Sequence, residues 1–230
     1  MVVVVTGAGR GLGYEIVAAL LRGGRKVVAC VRTPSPKLDE LKIGHEGLLF
    51  VVRMDVDKEE EARAAARAVN ERFGSITHIV NNAAVLRGRG MGAADLPMAD
   101  FEESFATNTF GPLLVTKHFL PLLVKDSGIQ VLNISSTSGS IARAGRPDYS
   151  YAMSKAALNM YTVMLRNELS ARGIAVAAIH PGWIHTDMGG KNAPGDPAAS
   201  ARFVVGLLDG SIAPPADSAF FDVDLNPLPF

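Results

Sequence analysis

The 230-residue chain has one cysteine, no surplus of either charge and no long apolar run. A lone Cys30 excludes an intramolecular disulfide and any multi-cysteine metal site, and nothing in it points to an oxidising compartment. Its 23 Lys and Arg balance 23 Asp and Glu, so the basic excess of a protein that coats nucleic acid is missing. Arg87-Gly88-Arg89-Gly90 is too short for a nucleic-acid arm. No stretch of about 18 apolar residues is present to span a membrane. The apolar opening Val2–Val5 has no basic flank and is too short for a signal-peptide core, so a soluble cytoplasmic protein is expected. The histidines His45, His78, His118, His180 and His185 do not cluster at ligand spacing, and no metal site is expected.

What is present is an alternation of short apolar runs with longer stretches of helical period. Strands are expected at Val2–Val5, Lys26–Val31, Leu48–Val52, Ile76–Val80, Ile129–Ile134, Ile174–Ile179 and near Ala219–Val223. Helices are expected at Gly11–Leu21, Asp57–Phe73, Pro97–Val124, Tyr149–Ala171 and near Pro197–Leu208, with Pro112 bending or interrupting the third of these. Near-continuous apolar strands are those of a sheet covered on both faces. Strand–helix alternation implies crossovers, hence a single doubly wound α/β domain over residues 1–230, of Rossmann type, with a mostly parallel seven-stranded sheet and helices on both faces.

The first strand runs into Thr6-Gly7-Ala8-Gly9-Arg10-Gly11-Leu12-Gly13, ahead of the first helix. Glycines there allow a tight turn and a close approach to a pyrophosphate, which a helix N-terminus favours. Such a loop also serves as a plain strand-to-helix turn. The spacing T-G-x-x-x-G-x-G, however, resembles that of the short-chain dehydrogenase/reductase family, and further motifs follow in the family's order. These are Asp55 with Val56, Asn81-Asn82-Ala83-Ala84 (alanine replacing the usual last glycine), Asn108, Ser135-Ser136, Tyr151-x-x-x-Lys155, and Pro181-Gly182 followed by Ile184 and Thr186. The likeness extends over essentially the whole chain and is greatest to the C-factor and sniffer-type carbonyl reductases, through Pro181–Gly190 and Phe220–Asp224.

Tyr151 and Lys155 lie four residues apart, about 40° around a helix, and so face one cavity. A neighbouring ammonium lowers a phenol's pKa, so Lys155 is expected to ready Tyr151 for proton exchange with a carbonyl oxygen. The resemblance implies that Ser136 holds that oxygen, that Lys155 also binds the nicotinamide ribose, and that Asn108 holds a water leading to bulk solvent. Ser138 stands at the family's usual interval before the tyrosine and Ser136 at its usual place after the strand, so the active-site serine is one of the two; the other lines the pocket. Tyr149, Trp183 and His185 are further candidates for touching substrate.

The resemblance also assigns the cofactor contacts to Gly7, Gly9, Arg10, Gly11, Leu12, Gly13, Arg32, Thr33, Asp55, Val56, Asn82, Ala83, Ala84, Tyr151, Lys155, Pro181, Gly182, Ile184 and Thr186. At the end of the second strand, where an acid would select the 2′-hydroxyl of NADH, stands Val31, with Arg32 and Thr33 after it. Arg32 and Arg10 are suited to a 2′-phosphate, so NADPH is expected in preference to NADH. The implied protein is an NADPH-dependent reductase of a ketone or aldehyde, assembled as a homodimer or homotetramer. The alternative is a regulator of the same fold that senses NADP(H) without chemistry.

Overall fold

A computed structural model of the chain describes residues 1–145 and 147–230. Seven strands form one sheet: β1 Val2–Thr6, β2 Lys26–Val31, β3 Leu49–Arg53, β4 His78–Asn81, β5 Val131–Ile134, β6 Val176–His180 and β7 Phe220–Asp222. Their order is β3-β2-β1-β4-β5-β6-β7. Every pairing is parallel, β7 included, so the sheet is entirely rather than mostly parallel.

The runs of valine are explained by what lies on each side. Val3 and Val5 face a core made with Ile16, Val17 and Leu20 of α1 (Gly11–Arg22) and Val204, Leu207 and Leu208 of α7 (Pro197–Asp209). Val4, between them, faces the opposite core, built from Ala62 and Val69 of α3 (Glu59–Phe73), Val115 and Phe119 of α5 (Gly111–Phe119) and Leu165 and Leu169 of α6 (Tyr149–Ser170). All three valines are fully buried, each contributing about 1.5–3 kcal/mol relative to exposure. Cys30 of β2 sits in the second core, where burial pushes its thiol pKa up to about 12.

Helix ends follow their local chemistry. Glu59, Glu60 and Glu61 open α3 and Arg72 closes it, each placed against the opposite end of the helix dipole. Asp196 caps α7 by accepting from the amides of Ala198 (2.9 Å) and Ala199 (3.1 Å), and Pro197 occupies the first turn.

Two expectations need correcting. The segment Pro97–Val124 is not one helix. It divides into α4 (Met98–Phe105), a π-turn at Ala106–Phe110, α5, and a 3₁₀ turn at Leu120–Leu122. Pro112 has no N–H to offer the carbonyl of Asn108, and the chain widens there, with Gly111 donating five residues back to Ala106. A further helix, α2 (Pro36–Gly44), was not expected, since it buries only Leu38 and has no apolar period to read. No helix among the described residues is long and apolar enough to cross a membrane.

Candidate active site

A cleft of about 1520 Å³ opens at the C-terminal ends of the strands. It lies where β1 and β4 adjoin and the strand order reverses, the place where open parallel sheets accept ligands.

On one side the cleft is walled by the glycine loop. Gly7 and Gly11 have positive φ (63° and 54°), a conformation that side chains resist. A Cβ on Gly13 would lie 2.3 Å from the Gly7 carbonyl and 2.5 Å from Asn82 Nδ2, so only glycine lets α1 start this close to β1. Asn82 fastens the loop by donating to the carbonyls of Thr6 (2.8 Å) and Gly7 (3.3 Å). Thr6 Oγ1, missed in the sequence, accepts from the amides of Asn82 and Ala83 (3.0 Å each). No side chain caps the first amides of α1, which leaves them for an anion. A dinucleotide therefore fits this wall: glycines where a side chain would intrude, and uncapped amides at the helix start.

Opposite stands the face of α6. Its buried stripe is polar where a core helix would be apolar: Ser150, Tyr151, Ser154, Lys155, Asn159 and Thr162. Burying such groups is costly unless they are paired. Here Asn133 joins Asn81 (2.8 Å) to Thr162 (2.8 Å), and Ser135 donates to Asn159 (2.6 Å). These bonds clamp α6 to the ends of β4 and β5 and fix where Tyr151 and Lys155 stand. Lys155 Nζ donates to the Ile134 carbonyl (2.7 Å) and lies 5.8 Å from the centre of the Tyr151 ring.

Charge in this pair differs from expectation. Burial is the cause that dominates at both residues. It pushes Lys155 down to about 7 and raises the Tyr151 phenol, against a lowering hydrogen bond from Ser136 and the charge of Arg89. Lys155 therefore does not bring Tyr151 down in this state, because its own ammonium is disfavoured there.

Of the residues singled out in the sequence, Gly7, Gly9, Arg10, Gly11, Leu12, Gly13, Arg32, Thr33, Asp55, Val56, Asn82, Ala83, Ala84, Ser136, Ser138, Tyr149, Tyr151, Lys155, Pro181, Gly182, Trp183, Ile184 and Thr186 all line the cleft. Both serines do so, and Ser136 Oγ also accepts from the Ser138 amide (3.1 Å). Two residues do not line it. Asn108 is buried behind the wall, where its amide is held by Val85 O (2.9 Å), Val85 N (2.8 Å) and Ser154 Oγ (2.9 Å). His185 is exposed outside it, and its amide pairs with Gly195 O (2.8 Å).

Arg10 lies at the cleft, but its guanidinium pairs with Asp187 at 2.7 Å, both side chains being more than three-quarters exposed. Arg89 donates to Met188 O (2.7 Å) from the facing wall. The loop after β6 is thus tied to both sides of the mouth. Arg89, Arg143 and His180 line the cleft as well, none of them marked by a motif. No cluster of metal-ligating residues occurs among the described residues.

Comparison with known proteins agrees with this geometry. The family model described as short chain dehydrogenase matches residues 1–196. The chain is 35% identical over 166 residues to the C-signal protein of Myxococcus xanthus, covering 72% of this chain and 99% of that one. The NADPH-bound carbonyl reductase from chicken fatty liver superposes with a TM-score of 0.87 at 32% identity, over 99% of this chain and 98% of that one. Carbonyl reductase Sniffer of D. melanogaster gives 0.90 at 25% identity, over 100% and 98%.

Proposed function

This chain belongs to the short chain dehydrogenase family of oxidoreductases, and from that we propose that it is an NADPH-dependent reductase converting a ketone or aldehyde to an alcohol. The observation that carries the reading is the convergence of Ser136, Tyr151 and Lys155 on one cleft whose other wall has the tight glycines and uncapped helix amides that suit a dinucleotide. NADPH is the preferred cofactor, since Val31 leaves no acid beside Arg32 and Thr33 at the cleft. The likeness to the NADPH-bound chicken reductase supports the same choice.

The cofactor supplies the hydride; the chain supplies position and the proton. Ser136 Oγ and the Tyr151 hydroxyl hold the carbonyl oxygen by two hydrogen bonds, which strengthen as negative charge builds on it. Tyr151 then gives its proton to that oxygen. The raised pKa of Tyr151 keeps the phenol protonated at neutral pH, which suits reduction. Lys155, held on the Ile134 carbonyl, would orient the cofactor ribose and, in its protonated form, stabilise the phenolate left on Tyr151. Asn108 fixes the loop at Val85, four residues past β4, and Ser154 of α6, and acts by positioning.

Assembly as a homodimer or homotetramer belongs to the same reading. Phe110, Leu113, Met160 and Met164 lie 40–63% exposed along α5 and α6 and its flanking turn, an apolar stripe suited to a second copy.

The test is Tyr151→Phe. It should lower turnover of an activated carbonyl by about 10²–10⁴-fold, with NADPH affinity unchanged within about threefold by fluorescence titration. Full activity in the variant would sink the proton assignment.

A further inference from the structure

Past the serine turn, one side of the cleft is built from chain with little to hold it. The serine turn (Thr137–Gly139) is followed, after Ser140, by a second short turn, Ile141–Arg143. Residues 141–145 are all exposed, Ile141 by 77%, so no side chain there is packed into a core. Yet Arg143, Ala144 and Gly145 line the cleft. Within the turn, Arg143 N donates to Ser140 O and Ala144 N to Ile141 O (3.2 Å each). These bonds shape the turn but do not place it. Among the described residues, one hydrogen bond ties it to a distant part of the chain. The Ala142 amide donates to the Phe230 carbonyl at 3.2 Å.

Phe230 is brought to that point by an ordered return of the chain. After β7, Asp222 Oδ1 accepts from the amides of Asp224 (3.0 Å) and Asn226 (2.9 Å) and from Asn226 Nδ2 (3.2 Å). This reverses the chain through Leu225, which takes a positive φ of 64°. Pro227 then pairs antiparallel with Phe221. Leu228, buried with Ala178 and Phe220, donates to Phe220 O (2.9 Å). Such a return covers the edge strand β7, as an open sheet edge requires, and that role is complete at Leu228. Phe230 lies two residues further on. Its ring stacks on that of Phe220, with 5.9 Å between centroids and 27° between planes. Phe220 is fully buried, so the stack fixes Phe230 and, with it, the carbonyl that holds Ala142.

We propose that Phe230 is a positioning residue for the substrate. By holding the turn Ile141–Arg143 it fixes the far wall of the cleft, and so governs the binding of ketones whose larger substituent extends past the serine turn. The inference deepens the reductase reading and rests on it for the place of the carbonyl, at Ser136 and Tyr151. A small ketone held there does not need the turn. A long one that reaches the turn binds a wall already in place in the wild type, and must order that wall when Phe230 is lost, at an entropic cost.

The experiment compares 4-phenylbutan-2-one with butan-2-one, which share one carbonyl and differ in reach, with NADPH consumption as readout. Phe230→Ala should raise KM for the long ketone about tenfold, the cost of ordering about one residue of backbone. The kcat for both ketones and KM for the short one should stay within about twofold. Phe230→Tyr, which keeps the ring, should restore the KM. Hydrogen exchange of the Ala142 amide, followed by nuclear magnetic resonance, reads the link without turnover. Phe230→Ala should speed it at least about threefold, while the Ser135 amide, which donates to Ile179 O, is unchanged. Equal rises in KM for both ketones, a fall in kcat with KM unchanged, or an Ala142 amide that exchanges alike in both proteins would overturn the proposal. Turnover of neither ketone would defeat the reductase reading, and calorimetric titration of 4-phenylbutan-2-ol into the NADPH-loaded protein then decides the wall. Binding that Phe230→Ala weakens about tenfold would uphold the role of Phe230; equal affinity, or no binding, would defeat it.

Discussion

Replacing Lys155 by methionine should make the cofactor-free protein more stable while removing its activity. Lys155 is buried in the second core's polar stripe, and its pKa falls from 10.5 to about 7 for that reason alone. A fall of that size corresponds to roughly 5 kcal/mol of destabilisation when the side chain is charged in the unfolded chain. Methionine fills similar space without the charge, but it leaves the Ile134 carbonyl without its 2.7 Å donor. That loss costs about 1–3 kcal/mol. The net gain is about 3 kcal/mol near pH 7, or roughly 6–12 °C in Tm for a chain of this size. The pH dependence gives the sharper check. Between about 7 and 10.5 the unfolded chain binds the proton and the folded chain does not, so wild-type stability rises with pH through that window. The penalty is complete below pH 7 and nearly gone at 10.5, so the advantage of Lys155→Met should shrink steadily, vanish near about pH 9 and reverse by about pH 10, where only the lost hydrogen bond remains. Thermal unfolding of both proteins by circular dichroism from pH 6.5 to 10 measures this. A variant less stable than wild type at pH 7, or a pH-independent difference, would show that Lys155 is not held as a costly buried amine.

Gly13→Ala puts a methyl group 2.3 Å from a backbone carbonyl that Asn82 also holds. It should cost about 2–4 kcal/mol and lower Tm by roughly 4–16 °C in a thermal melt; a drop below about 2 °C would contradict the close approach. Arg32→Ala should weaken NADPH at least about tenfold more than NADH. Asp187→Asn releases Arg10 from an exposed ion pair worth at most about 1 kcal/mol, so NADPH affinity should rise about two- to fivefold with NADH unchanged. Fluorescence titration with both cofactors reads the two effects, and equal changes for NADH would remove the 2′-phosphate from the argument.

Much of the fold was legible because burial dictates its pattern. Val3, Val4 and Val5 must all be apolar when cores lie on both sides, and that run is visible without coordinates. The glycine loop was legible for a similar reason, since steric demand at Gly7 and Gly13 leaves one residue type. The π-turn was half legible: Pro112 announced an interruption, but proline says only that a bond is missing, not that the turn widens before it. α2 was hidden because its one buried residue, Leu38, makes no period. At the cleft, spacing placed Tyr151 and Lys155 together but not their charge state, which depends on the surrounding low dielectric. His185 was placed by nearness in sequence to Pro181-Gly182, yet the loop turns it outward. His180, immediately before that pair, is the one that meets the cleft.

The single cysteine, in the opening inventory only an absence of disulfides, acquires a use from its position. Cys30 is hydrogen-bonded into β2 between β1 and β3, is 1% exposed, and has its thiol held near 12. Thiolate is the reactive species, so a thiol-selective reagent reaches Cys30 only when the central strands separate. The rate of Cys30 modification by a slow reagent is then a clock for whole-domain opening under native conditions. With no second thiol in the chain, every labelled molecule records that one event.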